Sequence, residues 1–132
     1  MADKSTQDML RRYAGYQPGS KRETDTYEAW SLGRPHEAVK RLDVRMRKAQ
    51  GQIVNYGYVT RIIYTADQLI TLGCTDCTVT IEGTGLEPLR ELLQDERVRW
   101  LQEFDRERHK EPDDNAPVIR SIVIKNLFEG NG

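Results

Sequence analysis

The sequence predicts an α+β domain: a strongly bent antiparallel sheet or small open barrel, carrying one main helix and preceded by an N-terminal arm. Three stretches predict it. From Leu42 to Glu82, four runs rich in β-branched and aromatic residues are separated by short turn signals, the pattern of an antiparallel meander. Gly83-Thr84-Gly85 ends that meander, and Leu86, Leu89, Leu92 and Leu93 then recur at helical spacing. Val118 to Lys125, VIRSIVIK, has high β propensity and predicts a final strand.

In chain order, residues 1–40 are the least core-like and are expected to form a partly flexible arm with short helices. Ser5 to Asp8 has capping-box spacing, and Met9, Leu10 and Tyr13 line one face of a short helix that Gly15, Pro18 and Gly19 break. Gln17 to Thr26 reads as linker. Tyr27 to Leu42 reads as a second helix, interrupted at Gly33-Arg34-Pro35. Helices this short are marginal alone. The arm therefore docks on the domain, docks on a partner or stays flexible, with Met9, Leu10, Tyr13, Tyr27 and Trp30 as its contact residues. The domain itself is expected over 41–126, followed by a frayed tail at 127–132.

Within the domain, Leu42, Val44 and Met46 alternate with Asp43, Arg45 and Arg47, giving a half-buried strand with one wet, mostly basic face. Gln50-Gly51-Gln52 turns the chain. Ile53 to Thr65 is the longest strand candidate, and Gly57 inside it marks a bulge or sharp bend, the device by which small barrels turn a corner. After the Ala66-Asp67-Gln68 turn, Leu69 to Leu72 and Cys77 to Glu82 form the last hairpin, with Cys77, Val79 and Ile81 on one face. Thr84 and Glu87 have capping-box spacing, and Pro88 falls in the first helical turn, where its missing N–H is harmless. The helix is expected from Leu86 to about Glu96. Val98 to Phe104 follows as a strand, the alternative being continuation of the helix to about Arg108 through Trp100 and Phe104. Arg106 to Pro117 reads as a charged, exposed loop.

Composition narrows the classes. The chain has 132 residues, 37% hydrophobic and 31% charged, enough for one domain with a real core. No apolar run approaches the roughly 20 residues that span a bilayer. The N-terminus lacks the apolar core of a secretory signal, so a cytoplasmic location without membrane contact is expected. Two cysteines do not make a disulfide framework, which agrees. The net charge of −1 favours neither nucleic acid nor a membrane surface. It is unevenly spread: residues 1–50 hold 11 basic and 7 acidic side chains, and residues 82–114 hold 6 basic and 11 acidic. That pattern reads either as two solvated faces or as a dipolar molecule that meets its own copies or a basic partner.

Three constellations bear on chemistry. Cys74-Thr75-Asp76-Cys77 has the spacing of half a zinc site, but the remaining ligands would have to be His36 and His109, each isolated in sequence. A redox pair would favour a helix N-terminus over a hairpin. The pair therefore reads first as a turn with Cys77 packed as a small apolar residue, and a metal-stabilised module is the third reading. Lys40, Arg41, Arg45, Arg47 and Lys48 form a basic cluster, and Tyr56, Tyr58 and Tyr64 are expected on the neighbouring strand. Arginines and aromatics on one sheet face bind single-stranded nucleic acid by phosphate neutralisation and base stacking. A pI of about 6.1 weighs against this. The carboxylates Glu103, Asp105, Glu107, Asp113 and Asp114 lie in charged context, where nothing pairs two of them in an apolar pocket. Gly83-x-Gly85 lacks the third glycine of a phosphate-binding fingerprint, there is no Gly-x-Ser-x-Gly elbow, and both histidines read as surface groups. No catalytic residue and no cofactor are predicted.

Ile81-Glu-Gly-Thr-Gly-Leu-Glu-Pro-Leu-Arg-Glu-Leu-Leu93 followed by Arg97-Val-Arg-Trp-Leu-Gln-Glu-Phe104 resembles a stretch of small uncharacterised bacterial proteins, in which a β-meander passes through a glycine turn into a Leu-x-Pro-Leu helix and an Arg-Val strand. The resemblance covers residues 42–125. It implies a bacterial domain without assigned chemistry, and it transfers no functional residue. In architecture the meander is also similar to SH3-like and Sm-like small barrels, although Sm-like domains place their helix before the strands. Fold does not give function. The expected function is a non-enzymatic adaptor or regulatory module that binds a protein partner, or a second copy of itself, through the arm residues Met9, Leu10, Tyr13 and Trp30 and through a sheet face. The alternative is a nucleic-acid-binding domain using Arg41, Arg45, Arg47, Lys48, Tyr56 and Tyr58. The third is metal held by Cys74 and Cys77.

Overall fold

The computed structural model describes residues 25–127. Among the described residues, the strands form two four-stranded sheets that share one hydrophobic core with one α-helix, an α+β fold whose sheets do not close into a barrel. The first sheet contains β1 (Trp30–Leu32), β2 (Arg41–Arg45), β3 (Gln52–Asn55) and β7 (Val98–Gln102), in the order β1-β7-β2-β3. The second contains β4 (Val59–Thr65), β5 (Leu69–Cys74), β6 (Cys77–Thr84) and β8 (Val118–Asn126), in the order β4-β5-β6-β8. The helix α1 spans Glu87–Gln94. Among the described residues, no helix is long and apolar enough to cross a membrane.

The expected meander is real but is shared between the sheets. Ile53 to Thr65 is not one bent strand: a 3-10 turn at Tyr56–Tyr58 separates β3 from β4. Asn55 makes the corner, its side-chain oxygen accepting the Gly57 N–H at 2.8 Å, a local bond that Asn forms readily. The buried Tyr56 pins the corner by donating its hydroxyl to the Val98 carbonyl at 2.7 Å. Beyond it, β4, β5 and β6 run as consecutive antiparallel neighbours. Cys74, Leu72 and Ile70 on β5 face the core with Cys77, Val79 and Ile81 on β6, as strand alternation requires.

Gly83 sits where β6 shifts register against β8, and a Cβ there would collide with the Val118 carbonyl. The helix follows closely on the expected span. Leu86, Leu89 and Leu93 are buried, and Pro88 lies in the first turn. The expected Thr84–Glu87 capping box is not formed. The helix instead starts at Leu86, whose N–H donates to the Asp67 carbonyl at 2.9 Å, so the β4–β5 turn anchors it. It ends at Glu96, which takes a positive φ of 55°, while the Arg97 N–H returns to the Leu92 carbonyl, the Schellman arrangement usually given to glycine.

Three expectations are corrected. Tyr27 to Leu42 forms no helix: Trp30–Leu32 is a strand paired with β7, and Tyr27, Ala29 and Val39 are buried in the core. Of the three fates open to the arm, its described part, 25–40, docks on the domain. The sheet is not wholly antiparallel either, because β2 and β7 pair in parallel, from Asp43–Trp100 to Arg45–Gln102. Chain separation explains this pair: β3 to β6 and α1 intervene, giving the chain room to return in the same direction. Finally, the loop after β7 is not wholly exposed, because His109 within it is buried, at 5% exposure.

Candidate functional site

The two edges of the second sheet differ. Along β8, three groups from outside the sheet bond to the strand. The Tyr27 hydroxyl accepts the Ile119 N–H at 3.0 Å, the Phe104 N–H donates to the Ile119 carbonyl at 2.8 Å, and a Glu103 carboxylate oxygen accepts the Ile122 N–H at 3.1 Å. Along β4, among the described residues, only β5 and the adjoining turns bond to the strand's backbone. An edge strand directs alternate N–H and C=O groups outward, so β4 offers a row of them to solvent. Its side chains are open too: Ile63 is 52% and Tyr64 50% exposed.

A groove of about 500 Å³ runs beside this edge, with β4 as one wall and α1 as the other. Its apolar lining comes from Tyr56, Val59, Ile62 and Leu93. Ile62 and Tyr64 lie on the core side of the sheet, since they pair with the buried Leu72 and Ile70. The helix runs opposite to β4. Its first turn is anchored at Asp67, just after β4, while Glu96 past its last turn lines the groove with Tyr56 and Val59, which precede and open β4. Arg90 closes the Tyr64 end, its guanidinium stacked 4.1 Å from the ring centroid. Glu91 and Glu96 supply the carboxylates. The groove thus combines unpaired strand groups, an apolar lining and opposite charges, which together can hold an extended chain. None of these groups is arranged as a nucleophile with an adjacent base.

The residues singled out from sequence fall elsewhere. Met9, Leu10 and Tyr13 lie outside the described residues. Trp30 is no free anchor: it is half-buried in β1, paired with Leu101 and packed against the core. The row of tyrosines beside Arg45 and Arg47 is not assembled. Tyr56 is core, because its ring fills the junction between the sheets and its hydroxyl is bonded there; Tyr58 belongs to the 3-10 turn, and Tyr64 to the other sheet. What stands beside Arg45 is Trp100, with the guanidinium 4.5 Å from the ring centroid. Arg45 also pairs with Asp43 at 3.1 Å, so the basic face carries an acid. Arg41, Arg47 and Lys48 are exposed.

Cys74 and Cys77 are both free and buried. Burial pushes the Cys74 thiol up to about 12, with the neighbouring Cys77 adding to the effect, and burial also raises Cys77. Both stay protonated near neutrality, whereas thiolates bind metals and attack electrophiles. Among the described residues, no three His, Cys, Asp or Glu side chains come together as a metal site.

Sequence reasoning missed Arg90, Ile62 and Leu93 as a group. Ile62 and Leu93 read as ordinary core positions, and only the placement of α1 along an open edge makes them line a groove. Comparison with family models, curated proteins and solved structures gave no match. The resemblance read from residues 81–104 accordingly carries no functional argument.

Proposed function

We propose that this protein is a non-enzymatic binding module that takes up an extended segment of a partner protein as an additional strand along β4. The observation that supports this reading most is the unequal treatment of the two sheet edges: β8 is capped by side chains and loop backbone, and β4 is left open beside a groove. In strand addition, main-chain hydrogen bonds supply affinity, and pockets for alternate side chains supply specificity. Here a segment beside β4 would direct every second side chain toward Ile62 and Leu93. Its charges would meet Arg90 beside Tyr64, and the carboxylates of Glu91 and Glu96.

The test is selection of random linear peptides on the full chain, followed by binding measurements on the Ile63→Lys variant. A lysine on an edge strand opposes pairing, and Ile63 is exposed, so the fold should tolerate it. Selected peptides should bind the wild type and lose at least about tenfold in affinity for the variant. Failure to select any peptide, or peptides indifferent to the change, would remove the reading.

Single-stranded nucleic acid is the second reading. It rests on the exposed Arg41, Arg45, Arg47 and Lys48, and the stacked Arg45–Trp100 pair is the observation in its favour. It is weakened by Asp43 and by the absence of a tyrosine row. A low-salt gel-shift assay with excess RNA or single-stranded DNA tests it, because such binding must be salt-sensitive.

A further inference from the structure

Between the end of β2, the end of β7 and the loop after β7 lies a cavity of about 560 Å³. Arg45, Arg47 and Arg108 line it together with Glu103, Asp105 and His109. The two carboxylates are structural. Glu103 accepts the N–H groups of Arg47 and Ile122 through its two oxygens, at 2.7 and 3.1 Å, and Asp105 accepts the Glu107 N–H at 3.1 Å. The cations differ. Arg45 bonds Asp43 through Nε and stacks on Trp100, and Arg108 pairs with Asp25 at 3.8 Å, whereas Arg47 has no ion pair among the described residues.

His109 completes the cavity. Its ring packs edge-on against Tyr27 and tilted against Phe104, with centroids 5.1 and 5.8 Å away. Its Nδ1 accepts the Asp105 N–H at 3.1 Å, which fixes the proton of the neutral ring on Nε2 and makes that nitrogen a donor. Burial, then Arg108, lowers its pKa, so it is the neutral donor near neutrality; Asp105 and Asp25 act in the opposite direction.

We infer that this cavity is a binding site for a phosphate group, free or carried by a small molecule, with Arg47 and His109 as its principal donors. Donors approaching from different elements suit a tetrahedral anion with several acceptor oxygens, and arginine favours such groups through its forked N–H geometry. The two carboxylates that line the cavity are held by backbone amides and would repel further phosphates, so it fits a single phosphate better than a continuous nucleic-acid backbone.

The experiment uses the full chain and long-range imidazole NMR spectra. His109 and His36 are the only histidines, and His36 is exposed, so the two ring signals are distinguishable. Inorganic phosphate and ribose 5-phosphate are titrated in parallel, with acetate at matched ionic strength as control. Saturable movement of the His109 Nε2 signal with either phosphate, and affinity reduced about tenfold or more in Arg47→Ala, is the expected result. Tighter binding of ribose 5-phosphate identifies the organic ester as the ligand, and equal binding identifies free phosphate. Arg47→Ala keeps the backbone N–H that Glu103 needs, so the fold is not at stake. No saturable shift, an equal response to acetate, or a response unchanged by Arg47→Ala would overturn the assignment.

Discussion

The β8 edge and the β4 edge belong to the same sheet but are handled in opposite ways. At β8, the Tyr27 hydroxyl both accepts from Ile119 and donates to the Gln102 carbonyl at 2.6 Å, tying the second sheet to the end of β7. Tyr27, Phe104 and His109 then cluster as rings around that junction. Burial raises the Tyr27 pKa, so the hydroxyl stays protonated and available for both bonds. At β4, among the described residues, nothing comparable is built, and Ile63 and Tyr64 are each about half exposed. Proteins ordinarily blunt a long edge strand with charges, proline or a covering loop. On the proposed reading, stability is concentrated at β8 and β4 is kept for binding.

The comparison breaks most visibly if Tyr27 is changed. Tyr27→Phe leaves the Ile119 N–H and the Gln102 carbonyl without a partner, each worth about 1–3 kcal/mol when buried, and urea unfolding should show a loss on the order of 2–4 kcal/mol. Glu103→Ala strips the bonds to the Ile122 and Arg47 N–H groups in a more solvated place, and about 1–2 kcal/mol should be lost in the same assay. On the other edge, Ile63→Lys should change stability by less than about 0.5 kcal/mol, because the side chain is exposed, while abolishing peptide capture. If it destabilises as much as Tyr27→Phe, the open edge is structural after all.

Acidification sharpens the same contrast. The folded-state pKa of His109 is lowered from 6.5, so below that value the unfolded chain takes up the proton first. The contribution of the neutral imidazole is complete above 6.5, declines as pH falls below it, and levels off once the folded imidazole is protonated. Thermal melts across this window should show a loss that disappears in a His109→Phe variant. The smallest effect lies at the end of α1. Glu96→Gly relieves the left-handed backbone and should stabilise the fold by up to about 1 kcal/mol, less the entropy glycine brings to the unfolded chain.

Much of the fold was legible because its elements carry their own periodicity. Cys77, Val79 and Ile81 alternate, the leucines of α1 recur at helical spacing, and VIRSIVIK can hardly be anything but a strand. What stayed hidden was decided by partners distant in sequence. Trp30–Leu32 is too short to show a period and becomes a strand only by pairing with β7. Tyr56 reads like Tyr58 and Tyr64 until Val98 captures its hydroxyl. His109 sits among charges in sequence yet is buried by Tyr27, more than 80 residues earlier. The groove was illegible for a related reason: an open edge is a property of what fails to pair, and no local pattern encodes that.

The claim that β4 is the working edge is tested most directly by hydrogen exchange on the full chain, with and without a selected linear peptide. Strand addition predicts that the amides of Val59–Thr65 gain protection when peptide is bound, while β8 amides, already capped, change little. Protection confined to the Arg45–Trp100 face, or no change at β4 under saturating peptide, would contradict it.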